Sequence, residues 1–185
     1  MSAHPADRTA PAPLGLLRGI RGSAVLEGTE LGTPRYEALL LTAALSTAAG
    51  LIHLMASVEH FDRHRVLGAL FAALAAFQCG WAGRVFNRPT PRALAIGVSV
   101  SLLVIFAWAC SRTVGLPIDA GSWRPEAAGA MDVAATADEV AIAFLALAAL
   151  GDETSLRSAM DRGRLAVLAL LILSGLALLL GAHHH

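Results

Sequence analysis

The chain has 185 residues, of which 56% are hydrophobic and only 15% are charged, whereas soluble globular proteins carry about a quarter charged residues. Its 14 basic residues are balanced by 14 acidic residues, so no surplus of positive charge points to nucleic acid as a partner. Two cysteines are too few for a disulfide-stapled secreted protein. The composition excludes these classes and indicates an integral membrane protein.

Residues 1–36 precede the first long apolar run. Residues 1–13 are rich in proline, alanine and small polar residues, which is typical of a disordered tail. In the next stretch Leu14, Leu16, Leu17 and Ile20 alternate with arginines, a pattern suited to a helix lying on the membrane surface. We predict that residues 1–36 form a cytoplasmic tail that could contain such an interfacial helix.

Five apolar runs follow, and a spanning helix needs about 20 such residues. Four of the runs are uncharged and cover residues 38–58, 66–83, 93–111 and 165–182. The remaining run, 133–151, reaches spanning length only if Asp138 and Glu139 enter the membrane, which costs a few kcal/mol for each charged side chain. The sequence therefore predicts an all-α fold, a polytopic membrane helical bundle of five transmembrane helices within residues 37–182.

The distribution of arginine predicts the orientation of this bundle. With the N-terminus in the cytoplasm, ten of the 14 basic residues fall on cytoplasmic segments, as the positive-inside rule requires. The absence of lysine beside abundant alanine indicates a GC-rich bacterial genome. We predict a protein of the bacterial cytoplasmic membrane with the N-terminus inside and the C-terminus outside, and interpret residues 183–185 as the remnant of a purification tag.

Polar residues concentrate at the predicted outer ends of three spans. His53 and His60 are seven residues apart on the first span, and Asp132 and Glu139 are seven apart on the fourth. Residues at this spacing lie on one face of a helix. Arg112 ends the third span. We predict that these five side chains converge on an outward-facing site within the membrane.

The leading hypothesis for this site is a transition-metal centre. Imidazole and carboxylate ligands suit Fe, Cu, Mn or Zn, and the candidate metal ligands are His53, His60, Asp132 and Glu139. Since the two histidines are about 10.5 Å apart along their helix, a single ion would use one of them. Glu139 and Arg112 are the candidate catalytic residues, as a base and an anion clamp. Haem is not expected, because only His53 lies well inside a span.

Three alternatives remain open on the sequence alone. Arg112 could pair with Glu139 or Asp138 and neutralise charges that the bilayer penalises. The chain could be a non-catalytic accessory subunit that contacts a partner subunit through its fifth span, which has no polar stripe. A proton-coupled carrier would use the same histidine and carboxylates, although the chain lacks the inverted repeat common in transporters.

Residues 108–117, WACSRTVGLP, form the most specific local motif. Together with His53, the Glu59 and His60 pair, Asp132 and Glu139, this motif resembles a group of small multi-pass membrane proteins from actinobacteria that share Trp-x-x-Ser-Arg-Thr-x-Gly-Leu-Pro. The resemblance extends over residues 45–145. It implies that these residues belong together, and it implies no activity.

Overall fold

The structure is a computed structural model. It describes residues 33–115, 123–125, 127–151 and 153–182. The predictions of a tail, an interfacial helix and a tag remnant therefore lie outside the described residues, except that residues 33–36 begin the first helix.

Five helices make up the described part of the chain, which contains no strand. They are α1 (Thr33–Phe61), α2 (Arg65–Asn87), α3 (Pro91–Thr113), α4 (Ala130–Leu150) and α5 (Glu153–Ala182). Each is long and apolar enough to cross a membrane. The predicted all-α bundle of five spans is confirmed, and the protein belongs in a lipid bilayer as a multi-pass membrane protein. The inside location of the N-terminus and the kind of membrane stay predictions.

Helix α5 begins well before residue 165, where the sequence predicted the fifth span to start. Its membrane-spanning stretch starts at Leu156, although Arg157, Asp161 and Arg162 follow it. These charged residues are exposed, whereas Leu156 and Met160 are buried in the core. Residues four apart share one helix face. The first turns of α5 therefore pack on the bundle through Leu156 and Met160, although they also carry charged residues.

A tryptophan fixes the packing of α2 against α3. The Trp81 side chain is buried, and its Nε1 donates a hydrogen bond to the Ala93 carbonyl at 2.7 Å. The ring lies directly against Gly97, where an added Cβ would overlap its atoms. Pro91 begins α3, and the Thr90 hydroxyl caps it by accepting a bond from the Ala93 amide at 3.3 Å.

The buried face of α1 contains a row of small and polar residues beside its apolar residues. They are Thr42, Ser46, Gly50, His53 and Ser57. The Thr42 hydroxyl bonds to the Ala38 carbonyl of its own helix at 2.7 Å, so it is satisfied without water. A Cβ on Gly50 would lie 3.0 Å from Cys79 Sγ, which shows how closely α2 approaches.

Helix α4 packs along α3 and along α5. Its residues Ile142, Leu145, Ala146 and Ala149 belong to the apolar core. This central position carries Asp138 and Glu139 of α4 into the interior of the bundle, where they are buried.

Candidate functional site

Three polar side chains from three helices meet in the interior of the bundle. Glu139 on α4 is 0% exposed, Gln78 on α2 is 2% exposed and His53 on α1 is 5% exposed. The Gln78 amide Nε2 donates to Glu139 Oε1, and His53 Nε2 lies 3.5 Å from the same oxygen. We call His53, Gln78 and Glu139 the central cluster.

Neighbouring contacts hold the cluster in place. The Ser46 hydroxyl of α1 donates to the backbone carbonyl of Gln78 at 3.0 Å, which sets the register of α1 against α2. The imidazole of His53 stacks on the ring of Phe71, with centroids 5.7 Å apart and an angle of 21° between planes. His53 is therefore oriented on one side by an apolar ring and faces a carboxylate with its Nε2.

Each member of the cluster has a buried polar atom without a hydrogen-bond partner among the described residues. These atoms are His53 Nε2, Gln78 Oε1 and Glu139 Oε2. The 3.5 Å between His53 Nε2 and Glu139 Oε1 exceeds the usual length of about 2.7–3.2 Å for such a bond. Leaving polar atoms unpaired in an apolar interior is costly, so the cluster is suited to accept a cation or a proton.

A second polar contact lies on a different face of α4, toward α5. Asp138 is fully buried and its Oδ1 accepts a hydrogen bond from the Ser174 hydroxyl of α5 at 2.9 Å. Consecutive helical residues are rotated by about 100°, and so Asp138 and Glu139 meet different neighbours. Polar side chains thus extend from α1 through α4 to α5.

Asp132 and Arg112 form a separate ion pair at the start of α4. Arg112 Nη2 lies 2.8 Å from Asp132 Oδ2, and the Asp132 side chain is 44% exposed. The same oxygen accepts the Gly129 amide at 2.9 Å and caps the helix. Asp132 is also about 10.5 Å from Glu139 along α4. Arg112 thus pairs with Asp132. The alternative from the sequence, in which Arg112 pairs with Glu139 or Asp138, named different partners.

His60 is separated from His53 by an aromatic ring. His60 Nδ1 is 2.8 Å from the Ala56 carbonyl, and its ring packs on Phe71 with centroids 5.0 Å apart. Phe71 therefore contacts both imidazoles. Of the four predicted metal ligands, the structure brings His53 and Glu139 together and places His60 and Asp132 elsewhere.

No group of three or more His, Cys, Asp or Glu side chains is arranged to hold a metal ion within the described residues. The central cluster supplies two such side chains, and the third polar group is the Gln78 amide. A metal at this place would therefore need the amide oxygen or solvent to complete its ligands.

Three contributors to the site were not identified from the sequence. They are Gln78, Phe71 and Ser174, none of which is among the predicted site residues. The signal for Gln78 was available, because it is the one amide in a run of apolar residues and an intramembrane polar group needs a partner.

Comparison with protein-family models, with curated proteins and with solved structures gave no match. The resemblance of residues 108–117 to the actinobacterial group therefore stays a prediction.

Proposed function

We propose that this integral membrane protein binds one transition-metal ion, Fe, Cu, Mn or Zn, inside the bilayer at the central cluster. One observation carries the proposal. His53 Nε2, Gln78 Oε1 and Glu139 Oε2 come from three helices, are buried in one place and have no hydrogen-bond partner among the described residues. Nitrogen and oxygen donors of these types suit divalent transition metals.

The separation of the two strongest donors supports a shared ion. A tetrahedral ion with nitrogen and oxygen bonds of about 2.0–2.2 Å holds adjacent ligand atoms about 3.4 Å apart. His53 Nε2 and Glu139 Oε1 are 3.5 Å apart. This spacing is compatible with ligands of one ion, and the same Glu139 oxygen also accepts a hydrogen bond from the Gln78 amide.

The small number of protein ligands favours an open site. Structural zinc sites are closed by four protein ligands, whereas catalytic sites keep a position for water or substrate. Two strong ligands and one amide leave such positions, so the bound ion would exchange and could accept a small molecule. The donor set accommodates redox-active Fe or Cu and redox-inert Zn. Catalytic roles for Glu139 and for Arg112 as an anion clamp stay predictions.

Titration with Co²⁺ tests the proposal. The protein is purified without residues 183–185 so that the terminal histidines do not bind metal, and the visible absorption of bound Co²⁺ is followed. We expect one equivalent in the wild type and none in His53→Ala. Asp132→Asn is the matched control, and it should bind as the wild type does because Asp132 belongs to the pair with Arg112. Absence of binding in the wild type, or equal binding in His53→Ala, would contradict the proposal.

A proton relay is the second candidate function, and the Asp138 contact favours it. The bond from Ser174 to Asp138 extends the polar side chains beyond the central cluster toward α5. Histidines and carboxylates within membranes commonly form proton pathways. Proton transport in proteoliposomes tests this candidate. Transport by the wild type without Co²⁺ binding, together with loss of transport in Glu139→Gln, would support the relay in place of the metal site.

The accessory-subunit alternative depends on the outward face of α5. This face exposes large apolar residues, among them Leu165, Ile172 and Leu173, which suit lipid and a partner helix equally well. A partner subunit therefore stays a prediction, and co-purification of a stoichiometric second chain from the native membrane would support it.

A further inference from the structure

Phe71 stands between two histidines of α1. Its ring stacks on His53 at a centroid distance of 5.7 Å and packs on His60 at 5.0 Å with an angle of 51° between planes. The two histidines are separated by about 10.5 Å along the helix. An apolar ring thus lies between a buried imidazole and one near the helix end.

We infer that His60 is an entry ligand, which receives a divalent transition-metal ion from the aqueous phase, and that the Phe71 ring is the barrier between His60 and the central cluster. The inference rests on the proposed metal site. It adds a second metal-binding position at His60 and a slow step in the transfer of the ion between His60 and the central cluster.

The position and bonding of His60 suit this role. It lies in the last turn of α1 and is half-buried, whereas His53 is buried. His60 Nδ1 lies 2.8 Å from the Ala56 carbonyl, which requires the proton on Nδ1 and leaves the Nε2 lone pair of the neutral ring for a metal. The backbone contact therefore sets the tautomer that binds metal.

The Phe71 ring controls the rate of exchange. A metal ion can pass the Phe71 ring only if the ring moves or the ion loses its bound water. Loss of that water in apolar surroundings is costly. Phe71 is half-buried on α2, so part of its side chain lies at the surface of the bundle. A barrier of this kind changes loading and release rates together and leaves the final occupancy unchanged.

Stopped-flow mixing with Co²⁺ tests the inference on protein lacking residues 183–185. We expect Phe71→Ala to speed both loading and release roughly tenfold, and His60→Gln to slow both roughly tenfold while one equivalent is still bound at the end. Phe106→Ala is the matched control, since Phe106 is an exposed ring on α3, and it should load at the wild-type rate.

The outcomes separate the inference from the proposed function. Wild-type rates in both Phe71→Ala and His60→Gln overturn the inference while the metal site stands. Loss of the bound equivalent in His60→Gln also overturns it, because His60 would then be a ligand of the buried ion itself. Failure of the wild type to bind Co²⁺ removes the proposed function and the inference with it.

Discussion

Glu139→Gln is expected to weaken Co²⁺ binding roughly 100-fold or more, an effect at or above the upper end of that seen when the partners of metal ligands are removed. Glu139 supplies the only acidic side chain of the central cluster. Glutamine keeps the size of the side chain and replaces a carboxylate by an amide, a weaker ligand for divalent ions. The dissociation constant from an equilibrium titration measures the effect.

Two companion results show that the loss is local. Asp138→Asn removes the neighbouring carboxylate, which bonds to Ser174 of α5, and should leave Co²⁺ affinity close to that of the wild type. Glu139→Gln should unfold in SDS no earlier than the wild type, because it removes a buried charge. Wild-type affinity in Glu139→Gln, or a greater loss in Asp138→Asn, would assign the metal to a different place.

Gly97→Ala is expected to lower the free energy of unfolding of the helical bundle markedly. The new Cβ would overlap the Trp81 ring, which is buried and tied to the Ala93 carbonyl. Overpacking of this type costs about 1–3 kcal/mol and occasionally more. SDS-induced unfolding, followed by tryptophan fluorescence or circular dichroism, measures the free energy of unfolding.

Gly83→Ala is the matched control for this substitution. Gly83 lies on α2, and an added Cβ there meets no atom within 4 Å, so stability should not fall. Equal stability of Gly97→Ala and Gly83→Ala would contradict the described packing of α2 on α3.

The fold was predictable from the sequence because the bilayer imposes it. A spanning helix must be apolar over about 20 residues and must satisfy its backbone internally, so hydropathy and length identified five helices. The first turns of α5 were not predicted to belong to the fifth span, because they contain charged residues. These residues are exposed, on a different face of the helix from the buried Leu156 and Met160.

The site was predictable only in part, for a physical reason. Spacing along one helix fixes which residues share a face and a depth, but not how far two helices are rotated or shifted against each other. His53 and Glu139 were grouped by depth and lie 3.5 Å apart, whereas Asp132, grouped by the same rule, turns to Arg112 and the helix cap. Gln78 and Phe71 lie in the site because α2 approaches α1 closely at Gly50. The residue pattern of a single helix contains no information about such an approach.

The most direct measurement is the X-ray absorption spectrum of Zn²⁺ bound to protein lacking residues 183–185. A metal held by His53 and Glu139 should show scattering from one imidazole and from oxygen ligands at about 2.0–2.2 Å, and the imidazole signal should disappear in His53→Ala. A spectrum without imidazole scattering in the wild type, or one that His53→Ala leaves unchanged, would contradict metal binding at the central cluster.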